Sequence, residues 1–418
     1  MAVTLAREVR SARLTTRAAA EAYIGGVCFK LGPPRLIGAE LEWLTLHCRA
    51  DDPSHPHRPD LHDLASVLAP HAPTSIAPDS PARPLPAGSA VTLEPGGQIE
   101  LSSTPLPSVE ELCAALTADS EQLRSRLARA DIAMVDAAAD PARPADRILQ
   151  LPRYRAMEER FDRIGPYGRL MMCNTAATQV SVDAGADAVE VSERWTVLHA
   201  VGPALLAAFA CSPRLWGIPD GAWASQRMRA WFELDPGRTD PPPLADPISS
   251  YGRWALDAPM LCVIGGCGDC PDDWSLAGDA TFADWMAGEL DEVIGRRPDH
   301  RDLDYHLSTL FPPVRAAGHL EVRYLDAQPG ELWRVPIAAL DALLCDRETV
   351  AEAAALSAGT AGRWRDAAEF GLVDTELRCA AVGLLSLAAS KSRSFSVELS
   401  AAAQRCRRGR TPVQEADA

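Results

Sequence analysis

Val91-Thr92-Leu93-Glu94-Pro95-Gly96-Gly97-Gln98-Ile99-Glu100-Leu101-Ser102-Ser103 is a run of alternating character. Its odd positions Val91, Leu93, Ile99 and Leu101 are apolar, while its even positions include Glu94, Gln98 and Glu100. A strand throws alternate side chains to opposite faces. One face of this run therefore enters a core, and the other carries the carboxylates and the amide. Pro95-Gly96-Gly97 interrupts it, and glycine inside a strand marks a bulge or the close approach of another backbone or ligand. Taken alone, the run reads equally well as an edge strand with a solvated acidic face.

A second stretch, Leu36-Ile37-Gly38-Ala39-Glu40-Leu41-Glu42-Trp43-Leu44, tips that balance, with Glu40 and Glu42 on one face and Leu41 and Trp43 on the other. Two acidic faces buried in one domain are costly without a cation and make sense if they converge on one. Magnesium takes carboxylate oxygens and completes its shell with substrate phosphates, so the pattern predicts a carboxylate-lined magnesium site on a sheet. Two further strands add to it. Gln179, Ser181 and Asp183 alternate with Val180 and Val182, and Glu321 and Arg323 alternate with Leu320, Val322 and Tyr324. Glu40, Glu42, Glu94, Gln98, Glu100, Gln179, Glu321 and Arg323 hold more acid than one general acid–base pair needs. The set suits roughly two or three divalent ions gripping a triphosphate, with an arginine steadying the phosphoryl group in flight.

The 418 residues are 47% hydrophobic and carry a formal charge of −16. Such a chain can bury a large core, and its acidity argues against a nucleic-acid partner. Lysine occurs only at Lys30 and Lys391, so arginine does nearly all the cationic work, and no Gly-rich run ends in Gly-Lys-Ser/Thr as a P-loop would. The most apolar run, Ala200 to Cys211, is broken at Gly202-Pro203 and is too short to span a bilayer. Eleven cysteines without regular spacing fit a reducing, cytoplasmic setting.

Around these strands the chain reads as follows. A helix over 4–30 precedes the first acidic strand. Pro, Ala, His and Asp dominate 49–89, where a short helix over 61–68 sits inside a Pro-rich excursion. His47, His55, His57, His62 and His71 crowd this region without a fixed ligand spacing, which favours a solvated loop over a metal site. Ser108-Val109-Glu110-Glu111 opens a helix as a capping box, with Leu112, Leu116, Leu123 and Leu127 on its apolar face. Asp235 to Pro243, ending in three successive prolines, excludes regular structure. Cys267 and Cys270 form a C-x-x-C with no second pair, which reads as a plain loop. From 336 to about 405 the chain is Ala-rich and helical, and a basic tail over 407–418 reads as disordered.

Several strings taken together resemble the plant and actinobacterial type of glutamate–cysteine ligase. They are Gly38-x-Glu40-x-Glu42, Leu93 through Ser102, His306-Leu307-Ser308-Thr309-Leu310-Phe311-Pro312, and Leu320-Glu321-Val322-Arg323. Arg153-Tyr154 with Met157, Met171-Met172 with Gln179, and Asp235-x-x-Arg238-Thr239 follow the same pattern in the same order. Within that family the chain looks most like the actinobacterial branch that begins ergothioneine synthesis. The resemblance implies an α+β, glutamine-synthetase-like fold: a curved, mainly antiparallel sheet with helices on its outer face. It implies a ligase domain over 1–345, a helical region over 346–406 and the tail. It implies a reaction in which ATP phosphorylates the side-chain carboxylate of L-glutamate and the amine of L-cysteine displaces the phosphate. Glu40, Glu42, Glu94, Glu100 and Glu321 are carried over as magnesium ligands, with manganese as the substitute metal. Arg323 and Glu321 fall at the catalytic centre. Gln98 and Gln179 face substrate, and Arg238, on a loop at the mouth, grips the glutamate α-carboxylate. Ser181 stands where the plant-type pattern has a larger amide. Two other readings keep the scaffold: a ligase for a different acid or amine, and a non-catalytic nucleotide- or metal-binding protein.

Overall fold

The computed structural model describes residues 14, 16–47, 57–218, 223–266 and 272–416. Its centre is an antiparallel sheet in which the first acidic stretch, β1 (Ile37–His47), lies in the middle. The strands are β2 (Ala90–Leu93), β3 (Ile99–Ser102), β4 (Ile132–Val135), β5 (Ala177–Val182), β6 (Val314–Ala316) and β7 (Leu320–Asp326). They run in the order β2-β3-β1-β5-β7-β6, with β4 pairing the far end of β1. The expected antiparallel sheet is present.

The run over 91–103 is two strands and not one interrupted strand. Val91 pairs with Leu101 and Thr92 with Glu100 across a hairpin. Glu94 and Gln98 close the turn, the Glu94 amide donating to Gln98 O at 2.9 Å and the Gly97 amide to Glu94 O at 2.9 Å. The face assignment survives this correction, because the pairing joins odd to odd and even to even positions. Gly97 takes φ +86°, open to glycine at little cost. Gly96 lets the hairpin touch its neighbour: a Cβ there would lie 2.3 Å from Cys173 O.

Register carries the acidic face across the strands. Glu42 lies opposite Glu100, Glu40 opposite Ser102 and Gln179, and Glu321 opposite Ser181 and Arg315. A bulge between Thr178 and Val180 shifts the β5–β7 register beside Gln179. Ala39, Leu41, Leu101, Val180 and Val322 point the other way and are buried. On that side lies α4 (Ala188–Phe209), buried over its second half and packed on β7.

Several helices frame the acidic face or bury the other one. Those used below are α1 (Val109–Ala128), α2 (Pro152–Ile164), α3 (Tyr167–Asn174), α5 (Gln226–Leu234), α6 (Pro236–Thr239), α7 (His300–Leu307), α8 (Arg334–Leu343), α9 (Arg347–Ser357), α10 (Thr375–Lys391), α11 (Ser396–Arg407) and α12 (Pro412–Ala416). Ser108 caps α1 as its spacing predicts, its hydroxyl accepting from the Glu111 amide at 3.2 Å. The Ala-rich C-terminal region is helical as expected, α10 and α11 packing on each other and α10 also on α4. The tail is not disordered over its described part. α12 is formed, and Arg408 Nη2 donates to the Glu415 carboxylate at 3.2 Å. The Asp235–Pro243 segment also departs from expectation, since Pro236 sits at the first position of α6, where its missing N–H costs nothing. Cys267, Cys270, His55 and the first part of the helix expected over 4–30 lie outside the described residues, and the described remainder is helical over Arg17–Cys28.

Candidate active site

The acidic sheet face opens into a cavity of about 270 Å³. Glu40, Glu42, Glu94, Gln98, Glu100, Gln179 and Arg323 all line it, as do Arg153, Tyr154, Arg227, Trp231 and Arg315. β1 supplies Glu40 and Glu42, the hairpin Glu94, Gln98 and Glu100, β5 Gln179, and β7 Arg323.

The carboxylates are short of positive charge. Glu40, Glu42, Glu94 and Glu100 make no ion pair among the described residues. Glu42 accepts from the Ala177 amide at 2.9 Å and from Gln179 Nε2 at 2.8 Å. Glu100 accepts from the hydroxyls of Thr92 at 2.6 Å and Ser102 at 3.2 Å, and the same Ser102 hydroxyl lies 3.1 Å from Glu40 Oε1. The Glu94 carboxylate has no hydrogen-bond partner among the described residues. Burial, then repulsion from Glu100 and Glu321, pushes Glu40 up to about 8. Burial and Glu42 push Glu100 to about 7. Burial and Glu100 drive Glu94 well above the ordinary carboxylate range, and burial raises Glu42 against the pull of Arg227. Each shift says that the ionised group lacks a counter-charge.

Glu321 is the exception. Burial alone would raise it, but Arg315 and then Arg323 outweigh burial and hold it at about 2. Arg315 Nε donates to Glu321 Oε2 at 2.8 Å, and Arg323 Nη1 bonds Oε1 on the other side. Glu321 is only 2% exposed and stands behind the two guanidinium groups, outside the cavity lining. Glu321, expected among the metal ligands, in this structure anchors the arginines that face the cavity and does not itself line it.

Arg238 is the second correction. It is fully buried and outside the cavity lining. Its Nε donates to Asp235 at 3.2 Å, Nη1 to Thr309 O at 2.9 Å and Nη2 to Pro259 O at 2.6 Å. The three prolines beside it suggested an exposed loop, but α6 turns the guanidinium inward to tie the α6 segment to the end of α7.

Arg227, which sequence reasoning missed, does face the cavity. It is 2% exposed, donates from Nη2 to Arg323 O at 2.8 Å and stands 3.8 Å from Asp326. Its guanidinium carbon lies 5.4 Å from the Trp231 ring centroid, and that of Arg323 lies 5.4 Å from the same ring. Trp231 therefore spaces the two cations that point at the acids. Asp326 is held by the hydroxyls of Ser212 and Ser225 and by the Cys211 amide. At the rim, Arg153 bonds Ser308 Oγ at 3.0 Å and Ser308 O at 2.8 Å, joining α2 to the end of α7. The buried Arg at position i and Trp at i+4 on α5 was the signal available for Arg227.

The residues fit a hard divalent cation. The donors are carboxylate oxygens, and the amide oxygens of Gln98 and Gln179 are buried without a hydrogen-bond partner. Among the described residues no three acids, histidines or cysteines are already gathered closely enough to hold an ion.

Comparison with known proteins follows the same line. The glutamate–cysteine ligase family 2 profile matches residues 36–416. The chain is 39% identical to the glutamate–cysteine ligase EgtA of Mycolicibacterium smegmatis over 90% of this chain and 85% of that one. It is 38% identical to EgtA of Mycobacterium tuberculosis over 94% and 87%. The chloroplastic glutamate–cysteine ligase of Medicago truncatula is 32% identical over 59% of this chain and 47% of its own length. Among solved structures, the Francisella tularensis glutamate–cysteine ligase in complex with AMP shares the fold, with a TM-score of 0.53, 13% identity, and coverage of 92% of this chain and 84% of that one. With its acidic sheet face assembled in one cavity and its profile match running from the start of β1 to the end of α12, the chain belongs to glutamate–cysteine ligase family 2.

Proposed function

We infer that this chain is an ATP-dependent ligase that joins the γ-carboxylate of L-glutamate to the amine of L-cysteine, giving γ-glutamylcysteine, ADP and phosphate. The observation that carries the reading is the set of buried and half-buried carboxylates, without ion pairs among the described residues, that face Arg323 and Arg227 in one cavity. A glutamate carboxylate is a poor acyl donor. Transfer of the ATP γ-phosphoryl group to one of its oxygens gives an acyl phosphate with a good leaving group. The cysteine nitrogen then bonds to the acyl carbon, the carbon–oxygen bond to phosphate breaks, and the nitrogen loses its proton.

Glu40, Glu42, Glu94 and Glu100 would hold the magnesium ions, about two or three of them. When bound, those ions screen the triphosphate from the acceptor carboxylate. Arg323, fixed on one side by Glu321 and on the other by Trp231, meets the charge on the transferring phosphoryl group. Its Nε is buried without a partner, a donor still to be satisfied. Arg227 and Arg153 take over the substrate-carboxylate role expected of Arg238. The orphaned oxygens of Gln98 and Gln179 accept from substrate ammonium groups or complete the cation shells. We place the product at the start of ergothioneine synthesis, as the sequence resemblance implies, and the enzyme in the cytoplasm. No described helix is long and apolar enough to cross a membrane.

The test is turnover of the purified chain with ATP, magnesium, L-glutamate and L-cysteine, the thiol product identified by mass. Glu100→Ala and Arg323→Ala should each lose roughly 100-fold or more in kcat. Wild-type rates in both variants would overturn the assignment. Substituting other acids and amines in the same assay checks the substrate pair.

A further inference from the structure

A second polar cavity, of about 350 Å³, lies where β1 and β5 begin and end, on the side away from the acidic face. Ile37 and Val182, paired across the two strands, form part of its wall. Its floor is Arg194 on α4, and its rim includes Arg35, Asp341 at the end of α8 and Glu190 at the start of α4.

Arg194 is 5% exposed, yet it makes no ion pair among the described residues. Its Nε donates to Asp183 O at 3.1 Å and its Nη1 to Leu344 O at 3.2 Å. These bonds fix the plane of the guanidinium and leave Nη2 with no hydrogen-bond partner among the described residues. Asp341 is half-buried, lies close enough to Glu110 and Arg194 to feel both charges, and its carboxylate has no hydrogen bond or ion pair among the described residues. Arg35 has its backbone amide bonded to Asp183, while its exposed side chain has no partner among the described residues. Arg194 and Asp341 thus line one cavity as a fixed guanidinium and a carboxylate that do not bond each other.

We propose that this cavity binds the α-amino-acid head group of a small amino acid or short peptide. The ligand carboxylate would sit on Arg194 Nη2 and Arg35, and its ammonium on Asp341. A guanidinium recognises a carboxylate through parallel N–H bonds, and an adjacent ammonium satisfies the acid in the same stroke. A lone anion would leave Asp341 unpaired, and a lone cation would leave Arg194 unpaired. The site touches the ends of the two strands that carry Glu40, Glu42 and Gln179, so its occupant rests on the scaffold of the catalytic face. The chemical class is read from this cavity alone. That glutamate, cysteine and γ-glutamylcysteine are the natural candidates rests on the functional reading above.

The test is calorimetric titration of the full chain, without ATP, by L-glutamate, L-cysteine and γ-glutamylcysteine in turn, with acetate and methylamine as probes of one charge each. At least one of the three amino compounds should show a binding event in the wild type that is lost in Asp341→Asn and weakened about 10-fold in Arg35→Ala, an exposed position that tolerates truncation. The same event should persist in Arg323→Ala, which separates this cavity from the catalytic one and keeps the test independent of the turnover assay. Which compound gives it identifies the source of the head group. Isotherms unchanged in both Asp341→Asn and Arg35→Ala would overturn the proposal. So would acetate or methylamine binding at the same site as tightly as the amino compounds.

Discussion

Glu94 shows most clearly how a single residue exchanges stability for function. Its half-buried carboxylate lies beside Glu100 and Glu42 with no counter-ion among the described residues, so ionising it in the metal-free protein is costly. Glu94→Gln keeps the shape and removes the charge. The metal-free variant should therefore melt a few degrees above the wild type at pH 8, while losing turnover. A lower melting temperature would show that the wild-type acid is already compensated. Arg238 has the opposite profile, because its truncation leaves buried Asp235 with Arg160, 3.5 Å away, as its remaining cation and the carbonyls of Thr309 and Pro259 without their donor. Arg238→Ala should cost about 3 kcal/mol in chemical denaturation. In the fraction that stays folded, the KM for glutamate should hold, whereas a selective rise in that KM at unchanged stability would restore the residue to the site mouth.

The hairpin of β2 and β3 is the element on which the site turns, and Gly96 is its point of closest contact. Gly96→Ala would drive a Cβ into the backbone of Cys173, so the hairpin must move away from α3. Overpacking of this kind costs roughly 1–3 kcal/mol. Because Glu94 and Gln98 flank the turn, turnover should fall far more than stability does. Equal modest losses would mean that the hairpin does not position the acids. At this scale the sequence was legible wherever period and chemistry agreed. Alternation placed Glu40, Glu42, Glu100 and Gln179 on one face because a two-residue period survives even when a strand proves to be a hairpin. Caps placed α1 for the same local reason. What stayed hidden depended on distant partners. β4 and β6 are short and gain their place from pairing with β1 and β7. Arg238 turned inward toward Thr309 and Pro259, and Arg227 owes its aim to Asp326 and Trp231, none of which a local pattern reveals.

Across the whole molecule, two pairs of buried ionisable groups pull in opposite directions, so in the metal-free protein their contributions should offset each other between about pH 4.5 and 6.5, with stability falling on either side of that plateau. Burial lowers His199 and His306 from 6.5 to about 4. Between those values the unfolded chain binds protons that the fold refuses, so stability falls as pH drops from about 6.5 to 4. Glu40 and Glu100 run the other way, held up to about 8 and 7 against 4.5. The fold keeps protons there that the unfolded chain has released, so stability falls as pH rises from about 4.5 to 8. Denaturation at a series of pH values should show both limbs, and millimolar magnesium should flatten the alkaline one while leaving the acid one unchanged. The proposed ligation runs through phosphorylation of a substrate carboxylate beside the acidic face. The direct measurement is to supply glutamate labelled with oxygen-18 in its γ-carboxylate, together with ATP, magnesium and cysteine, and to weigh the phosphate released. One labelled oxygen should appear in each phosphate for every γ-glutamylcysteine formed. Phosphate free of label alongside full peptide formation would contradict the acyl-phosphate route and the reading of the cavity built on it.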